Sequence, residues 1–141
     1  MGLFTHVLVP VASEADVTAT CDALEPYLSD LERVTAVHVI EKSGGGIDKA
    51  PLGKRQEDAA TFLATVENRL TDEIAVDTQT YYGTDVVDTL FEAALEHDAD
   101  AVAYRARGGS RIARLLAGDL ATKLVTDPAV PVVSLPLPDR E

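Results

Sequence analysis

The residues of this chain best suited to chemistry lie in one arginine- and glycine-rich segment, residues 105–119, which directly follows a short apolar run at 101–104. Within it, Gly108 is followed after nine residues by Gly118 and Asp119. In α/β folds, a strand that ends in a glycine turn before a helix is the usual site for phosphates, because backbone N–H groups and the helix dipole attract anions there. The spacing therefore predicts an anion site derived from a nucleotide-phosphate loop.

The positive charge of this segment contrasts with the acidity of the whole protein. Four arginines fall within the ten residues 105–114, which include no acid, whereas the chain carries 24 acids against 12 lysines and arginines and a formal net charge of −12. Such an isolated basic loop creates a local field that attracts anions. The alternative is that these arginines pair with the protein's own acids. They are Arg105, Arg107, Arg111 and Arg114.

The overall acidity limits the classes of partner. Acidic surfaces repel nucleic acids and anionic lipids, so we expect neither nucleic acid nor a membrane as a partner. Acid excess with only four lysines also indicates adaptation to concentrated salt, the alternative being an ordinary acidic cytoplasmic protein. No run approaches the ~20 apolar residues that span a bilayer, and no signal peptide is recognisable, so we expect a cytoplasmic location.

Side chains typical of catalysis or metal binding are sparse. Cys21 is the single cysteine, so the chain has neither a disulfide nor a cysteine-rich metal site. His6, His38 and His97 lack metal-ligand spacing and are interpreted as structural histidines. Ser13 precedes a helical pattern, but no Gly-x-Ser-x-Gly elbow surrounds it. Without a nucleophile or a convincing pair of carboxylates, the sequence predicts a protein that is not an enzyme.

Hydrophobic patterning predicts alternating strands and helices. Continuous apolar runs rich in β-branched residues are typical of strands buried on both faces, while the alternating run at 74–82 favours a strand nearer an edge. Pro26 falls within the first helical pattern and should kink that helix or mark its last turns. The predicted strands are 7–9, 34–40, 74–82, 101–104 and 130–135, and the helical patterns cover 17–31, 59–70, 86–95 and a region from Asp119 to before Pro128.

This alternation of five strands and four helices predicts an α/β fold. We expect a doubly wound five-stranded parallel sheet with helices on both faces, in one domain over residues 1–141. A glycine-rich loop begins at Ser43 and reaches about Lys54, at the carboxyl edge of such a sheet, where ligands bind. It is either a functional loop or a solvated spacer.

Several segments of this chain resemble segments of the universal stress protein family and follow one another in the same order as in that family. Together they cover essentially the whole chain. The resemblance implies a Rossmann-like fold of the adenine-nucleotide alpha-hydrolase type and a role in the stress response. In one branch of the family it also implies ATP binding. The segments that carry the resemblance are 5–11, 37–41, 82–85, 98–100, 108–131 and 128–132.

The nucleotide-binding branch of that family carries the pattern G-x-x-G-x9-G-[S/T] and an aspartate just after the first strand. Gly108 and Gly118 match its second and third glycines. Arg105 stands where the first glycine belongs, Asp119 where the phosphate-binding Ser or Thr belongs, and Ala12 where the aspartate belongs. Carried over in this way, the nucleotide- or anion-binding site comprises Pro10, Val11, Ala12, Val39, Arg105, Arg107, Gly108, Gly118, Asp119 and Leu120.

These three departures change the chemistry of the implied site. Arg105 blocks the close approach that a glycine allows, although its guanidinium can itself grip a phosphate. Asp119 sets a carboxylate at the helix start, where it repels a triphosphate or simply caps the helix. Ala12 removes an acceptor for the base or the ribose. We therefore expect weak ATP binding and no firmly bound cofactor.

The last predicted strand indicates how the protein assembles. An apolar strand at a sheet edge is an aggregation hazard unless it is covered. The resemblance implies a symmetric homodimer formed through this strand, with contacts from Val130, Val132, Val133 and Leu135. We therefore expect a dimeric regulatory module that acts on an unidentified protein partner. The alternatives are an ATP-binding universal stress protein and an enzyme on the same fold.

Overall fold

A computed structural model describes residues 4–11, 14–41, 52–105 and 128–135. The strands are β1 (His6–Pro10), β2 (Arg33–Glu41), β3 (Ala75–Gly83), β4 (Ala101–Arg105) and β5 (Val132–Leu135). They form one sheet in the order β3-β2-β1-β4-β5, and every neighbouring pair is parallel. The predicted doubly wound α/β fold is confirmed, with the third and last strands at its two edges.

Three α-helices connect these strands within the described residues: α1 (Glu14–Leu24), α2 (Leu52–Leu70) and α3 (Val86–Glu96). α1 passes directly into a 3₁₀ turn, Glu25–Asp30, which holds Pro26 at its start. Proline lacks an N–H and clashes with the preceding turn, so the α-helix ends there, as the sequence predicted. None of the described helices is long and apolar enough to cross a membrane.

α2 begins earlier than its hydrophobic pattern indicated. Its first residue is Leu52, so Lys54 lies inside the helix and donates a hydrogen bond to Asp58, one turn later, at 3.1 Å. The prediction that the loop after β2 reaches Lys54 is therefore wrong at its far end, because the first turns of α2 are polar and exposed. The glycine patch of that loop and the predicted fourth helix lie outside the described residues.

The helices cover both faces of the sheet. α1 and α2 pack on one face over Val7, Val9 and Val34, and α3 packs on the other face over Leu8 and Val102. None of these five side chains is more than 4% exposed. Alternate residues of a strand point to opposite faces, which explains why the central strands are apolar throughout.

At the amino edge of the sheet, one carboxylate ties β1 to β4. Asp100 Oδ2 accepts hydrogen bonds from the backbone N–H groups of Thr5 (2.9 Å) and His6 (3.0 Å), and from the Thr5 hydroxyl (3.0 Å). These donors hold the pKa of Asp100 below its usual value. On the next strand, Thr35 Oγ1 lies 2.7 Å from His6 Nε2. The starts of β1, β2 and β4 are thus held in register, which fixes where their opposite ends lie.

Candidate functional site

The chain order of the strands reverses beside β1. β2 and β3 lie on one side of it and β4 and β5 on the other, so the crevice between β1 and β4 is the topological switch point of the sheet. Doubly wound folds bind ligands at the carboxyl edge of such a crevice. β1 and β4 pair with Leu8 opposite Val102. β1 ends at Pro10 and β4 at Arg105, so the structure brings two predicted site residues, Val11 and Arg105, to the same carboxyl edge of the sheet.

The chain leaves β1 in a tightly held conformation. The Val11 N–H donates to the Val37 carbonyl at 2.9 Å, and the Val11 carbonyl lies 2.8 Å from His38 Nδ1. Since a carbonyl oxygen only accepts, His38 Nδ1 carries the proton. The His38 ring packs edge-on against Phe62 of α2, with ring centroids 5.5 Å apart. Both backbone groups of Val11 are therefore fixed by β2. The sequence interpretation of His38 as structural did not identify this positioning role.

Two other predicted site residues are packed within the sheet, on β1 and on β2. Pro10 is the last residue of β1, is buried, and lies opposite Val37 of β2. Val39 is half-buried and, like its register partner Tyr81, packs against the hydrophobic cluster beneath α3. Packing within the sheet therefore accounts for all of Pro10 and part of Val39.

Arg105 is the last residue of β4 and lies opposite Leu135 of β5. The preceding residue, Tyr104, is 6% exposed and belongs to the cluster beneath α3. The strand that leads to the basic loop is thus firmly packed up to its end. The remaining predicted site residues lie outside the described residues, so their roles stay predictions: Ala12, Arg107, Gly108, Gly118, Asp119 and Leu120.

The described residues supply few groups for catalysis. Cys21 is 1% exposed, and burial raises the pKa of its thiol to about 11, so it stays protonated at neutral pH. His6 and His38 both make hydrogen bonds that hold strands together, which supports their structural interpretation. Within the part of the chain that the structure describes, no three His, Cys, Asp or Glu side chains gather to hold a metal ion. What the described residues contribute at the crevice is therefore a fixed backbone, and we assign no catalytic side chain among them.

An apolar cavity of about 280 Å³ lies apart from the crevice, beside β5 on the α1 face of the sheet. Tyr27 on its wall is 40% exposed, whereas Leu135 is only 5% exposed and belongs to the core. No strand of the described residues pairs with the outer edge of β5. The apolar side chains that line the cavity include Phe4, Leu24, Tyr27, Leu31, Val133 and Leu135.

Solved structures of similar fold include universal stress proteins. One from Archaeoglobus fulgidus in complex with dAMP is 18% identical, with a TM-score of 0.64 over 95% of this chain and 99% of that one. One from Lactobacillus plantarum is 19% identical, with a TM-score of 0.65 over 96% and 99%. A family protein from Arabidopsis thaliana with AMP bound is 16% identical, with a TM-score of 0.62 over 94% and 91%. No curated protein matches the sequence.

At these identities, the likeness to solved structures establishes the fold alone. The family is established by a sequence model, that of the universal stress protein family, which matches residues 3–136. That match spans all five strands and the whole of the basic loop. This chain belongs to the universal stress protein family.

Proposed function

We propose that the protein is a non-catalytic regulatory module of the universal stress type that works as a homodimer and binds ATP weakly. The observation that carries this proposal is the position of Arg105 at the end of β4, at the carboxyl edge of the switch point between β1 and β4. The family's nucleotide-binding pattern has a glycine there, where phosphates must come close to the backbone. An arginine in place of that glycine adds a long side chain, which we expect to hinder the close approach of the phosphates.

Two further positions support weak ATP binding. Asp119 stands where the pattern has a Ser or Thr hydroxyl, and a carboxylate repels the phosphate oxygens that the hydroxyl would bind. Ala12, the residue after Val11, offers no acceptor to a base or ribose. Asp119 thus adds a repulsion and Ala12 removes an attraction, and both changes act against ATP.

Nucleotide binding is the second candidate function. Two structures of similar fold hold dAMP and AMP, and both of these ligands are monophosphates. A monophosphate brings less negative charge to Asp119 than ATP does. The four arginines of segment 105–114 attract anions of either kind. AMP is therefore the nucleotide to compare with ATP.

Isothermal titration with ATP at a fixed high salt concentration tests the proposal. The variant Ala12→Asp/Arg105→Gly/Asp119→Ser restores the family pattern. It should bind ATP about ten- to hundredfold more tightly than wild type, because removing one unfavourable charge at short range is worth on the order of 1–3 kcal/mol. Asp119→Ser should dominate, since it also returns a hydroxyl at the helix start. Glu92→Gln, at an exposed position of α3, is the matched control and should leave the affinity unchanged.

Micromolar binding of ATP by the wild-type protein would contradict the proposal and make ATP binding the first candidate. Tight binding of AMP alone would instead favour a monophosphate ligand. The protein contains no tryptophan, so nucleotide carried through purification would give a clear excess of absorbance at 260 nm after denaturation.

The proposed homodimer forms through β5, a four-residue strand at the edge of the sheet. The apolar cavity beside this strand supports the proposal, since Tyr27 on its wall is 40% exposed and Val133 is only half-buried. A second copy of the same surface, related by a two-fold axis, would cover both the edge and the cavity. Pro131 and Pro136 limit the length of any ladder between the copies.

Sedimentation analysis of a β5 variant tests this assembly. Val133→Asp puts a charge on the apolar surface and should give a monomer. Gln79→Asp changes an exposed position on the opposite edge strand, and this matched control should stay dimeric. Leu135 is unsuitable for the test, because it is 5% exposed and its substitution would disturb the core. A monomeric wild type, or a folded Val133→Asp dimer, would refute an interface at β5.

A further inference from the structure

The outer edge of β3 has the features of a strand that can accept another strand. β3 has nine residues and pairs with β2 along its whole length, from Arg33 opposite Ala75 to Glu41 opposite Gly83. Its register is unbroken and it contains no proline, so it lacks the bulges and prolines that commonly protect sheet edges. Among the described residues, nothing pairs with its other side. Alternate residues of β3 therefore direct N–H and C=O groups outward.

A groove runs beside this edge, between β3 and α2. It encloses about 340 Å³ and is lined by residues 78–80 of β3 and by Ala60, Leu63, Ala64 and Glu67 of α2. Ala60 and Ala64 are exposed, and their small side chains leave the groove open above Leu63. A strand added to β3 would send alternate side chains toward this groove. The space beside the edge therefore fits the side chains of an added strand.

The charges around the groove indicate what kind of added strand would bind there. Glu67 lines the groove, and Asp72 and Glu73 lie in the turn that leads into β3; all three are exposed. Two arginines on neighbouring strands and helices already bind acids: Arg33 of β2 contacts Asp77 at 2.6 Å, and Arg69 of α2 contacts Asp22 at 2.8 Å. The amino-terminal half of this edge is therefore negative.

We propose that the outer edge of β3 binds an extended, basic segment of another protein as an added strand. Backbone hydrogen bonds would supply the pairing, and lysine or arginine side chains would reach the groove beside Glu67. A second copy of this chain is a poorer occupant, because its own β3 (Ala75–Gly83) contains no lysine or arginine to pair with these acids. The proposal depends neither on nucleotide binding nor on the homodimer at β5.

A fluorescein-labelled peptide of alternating lysine and valine tests the proposal by fluorescence anisotropy, at about 0.1 M salt, where the screening length is ~10 Å. Two control peptides carry glutamate in place of lysine, or proline in place of alternate valines. We expect the lysine peptide to bind and both controls to fail. Hydrogen exchange should slow at backbone amides of residues 75–83 when the lysine peptide is present. Glu67→Lys should weaken binding about fivefold, whereas Glu92→Lys on α3 should not.

Several results would overturn the proposal. Equal binding of the proline peptide would exclude strand pairing, and equal effects of Glu67→Lys and Glu92→Lys would reduce the interaction to overall charge. Slowed exchange confined to residues outside β3 would move the binding site elsewhere. Protection of β3 that rises with protein concentration, without any peptide, would make a second copy the occupant.

Discussion

At Gly83, the addition of a single methyl group is predicted to destabilise the fold. Gly83 is the last residue of β3, and a Cβ added to it would overlap Thr89 Oγ1 in the first turns of α3. Thr89 is 6% exposed, and its hydroxyl donates to the Asp85 carbonyl at 2.8 Å. The hydroxyl therefore cannot turn away without breaking a hydrogen bond inside a packed region.

We expect Gly83→Ala to lower the free energy of unfolding by about 1–3 kcal/mol, the usual cost of overpacking. For a domain of this size, that corresponds to a drop in melting temperature of roughly 3–10 °C. Thr89→Ala removes the oxygen that collides. Alone it should cost about 1 kcal/mol, because the Asp85 carbonyl keeps a hydrogen bond from the Thr89 N–H at 3.0 Å. The double variant should then be more stable than the sum of the two changes by about 1–2 kcal/mol.

Urea unfolding followed by circular dichroism measures all three variants. Gly53→Ala, in the first turn of α2, is the matched control: its added Cβ meets nothing within 4 Å, so it should be neutral or stabilise by up to about 1 kcal/mol. The reasoning is refuted if Gly83→Ala unfolds at the same urea concentration as wild type. It is equally refuted if the two changes add to within about 0.5 kcal/mol.

Three further predictions address other features. Asp85 caps α3 by accepting from the Asp88 N–H at 3.0 Å, so Asp85→Ala should cost about 1 kcal/mol in urea unfolding and Asp85→Asn much less; equal losses would refute the cap. Burial lowers the pKa of His6 from 6.5, so the unfolded state takes up its proton first, and the free energy of unfolding should fall as the pH drops below 6.5. The same pH slope in His6→Gln would refute that assignment. The net charge of −12 predicts a melting temperature that rises from dilute buffer to molar KCl. A flat or falling melting temperature would refute the adaptation to concentrated salt and favour an ordinary acidic protein.

The α/β fold of the protein could be predicted from its sequence because the central strands are buried on both faces. Val34, Ala36 and Val37 are fully buried, and such continuous apolar runs have few alternatives to a parallel sheet between helices. The alternation of apolar and polar residues in β3 correctly predicted a strand near an edge, since β3 is the first strand in the order of the sheet. The structure also explains two residues of the tyrosine–glycine–threonine–aspartate segment at 82–85, which contributed to the family resemblance. The glycine makes room for Thr89 and the aspartate caps α3.

Contacts between distant residues could not be predicted from the pattern. Asp100 contacts Thr5 across 95 positions of the chain, and His38 contacts Val11 across 27, so neither pair leaves a local signal. The start of α2 was also missed, because a polar, exposed helical turn has no hydrophobic period. Within the candidate site, the sequence identified which residues depart from the family pattern. The structure added that Val11, which follows β1, and Arg105, which ends β4, lie at the same carboxyl edge of the sheet.

The residues that hold the crevice differ from the residues that would hold a nucleotide. Val11 is fixed by Val37 and His38, and the spacing of β1 and β4 is set by Asp100 at the opposite edge, so no ligand is needed to keep the crevice formed. Changes at ligand-facing positions can then alter affinity at little cost in stability. Serine caps a helix about as well as aspartate. The variant Ala12→Asp/Arg105→Gly/Asp119→Ser should therefore keep the urea midpoint of wild type, and a clear loss of stability would mean that the departures stabilise the fold.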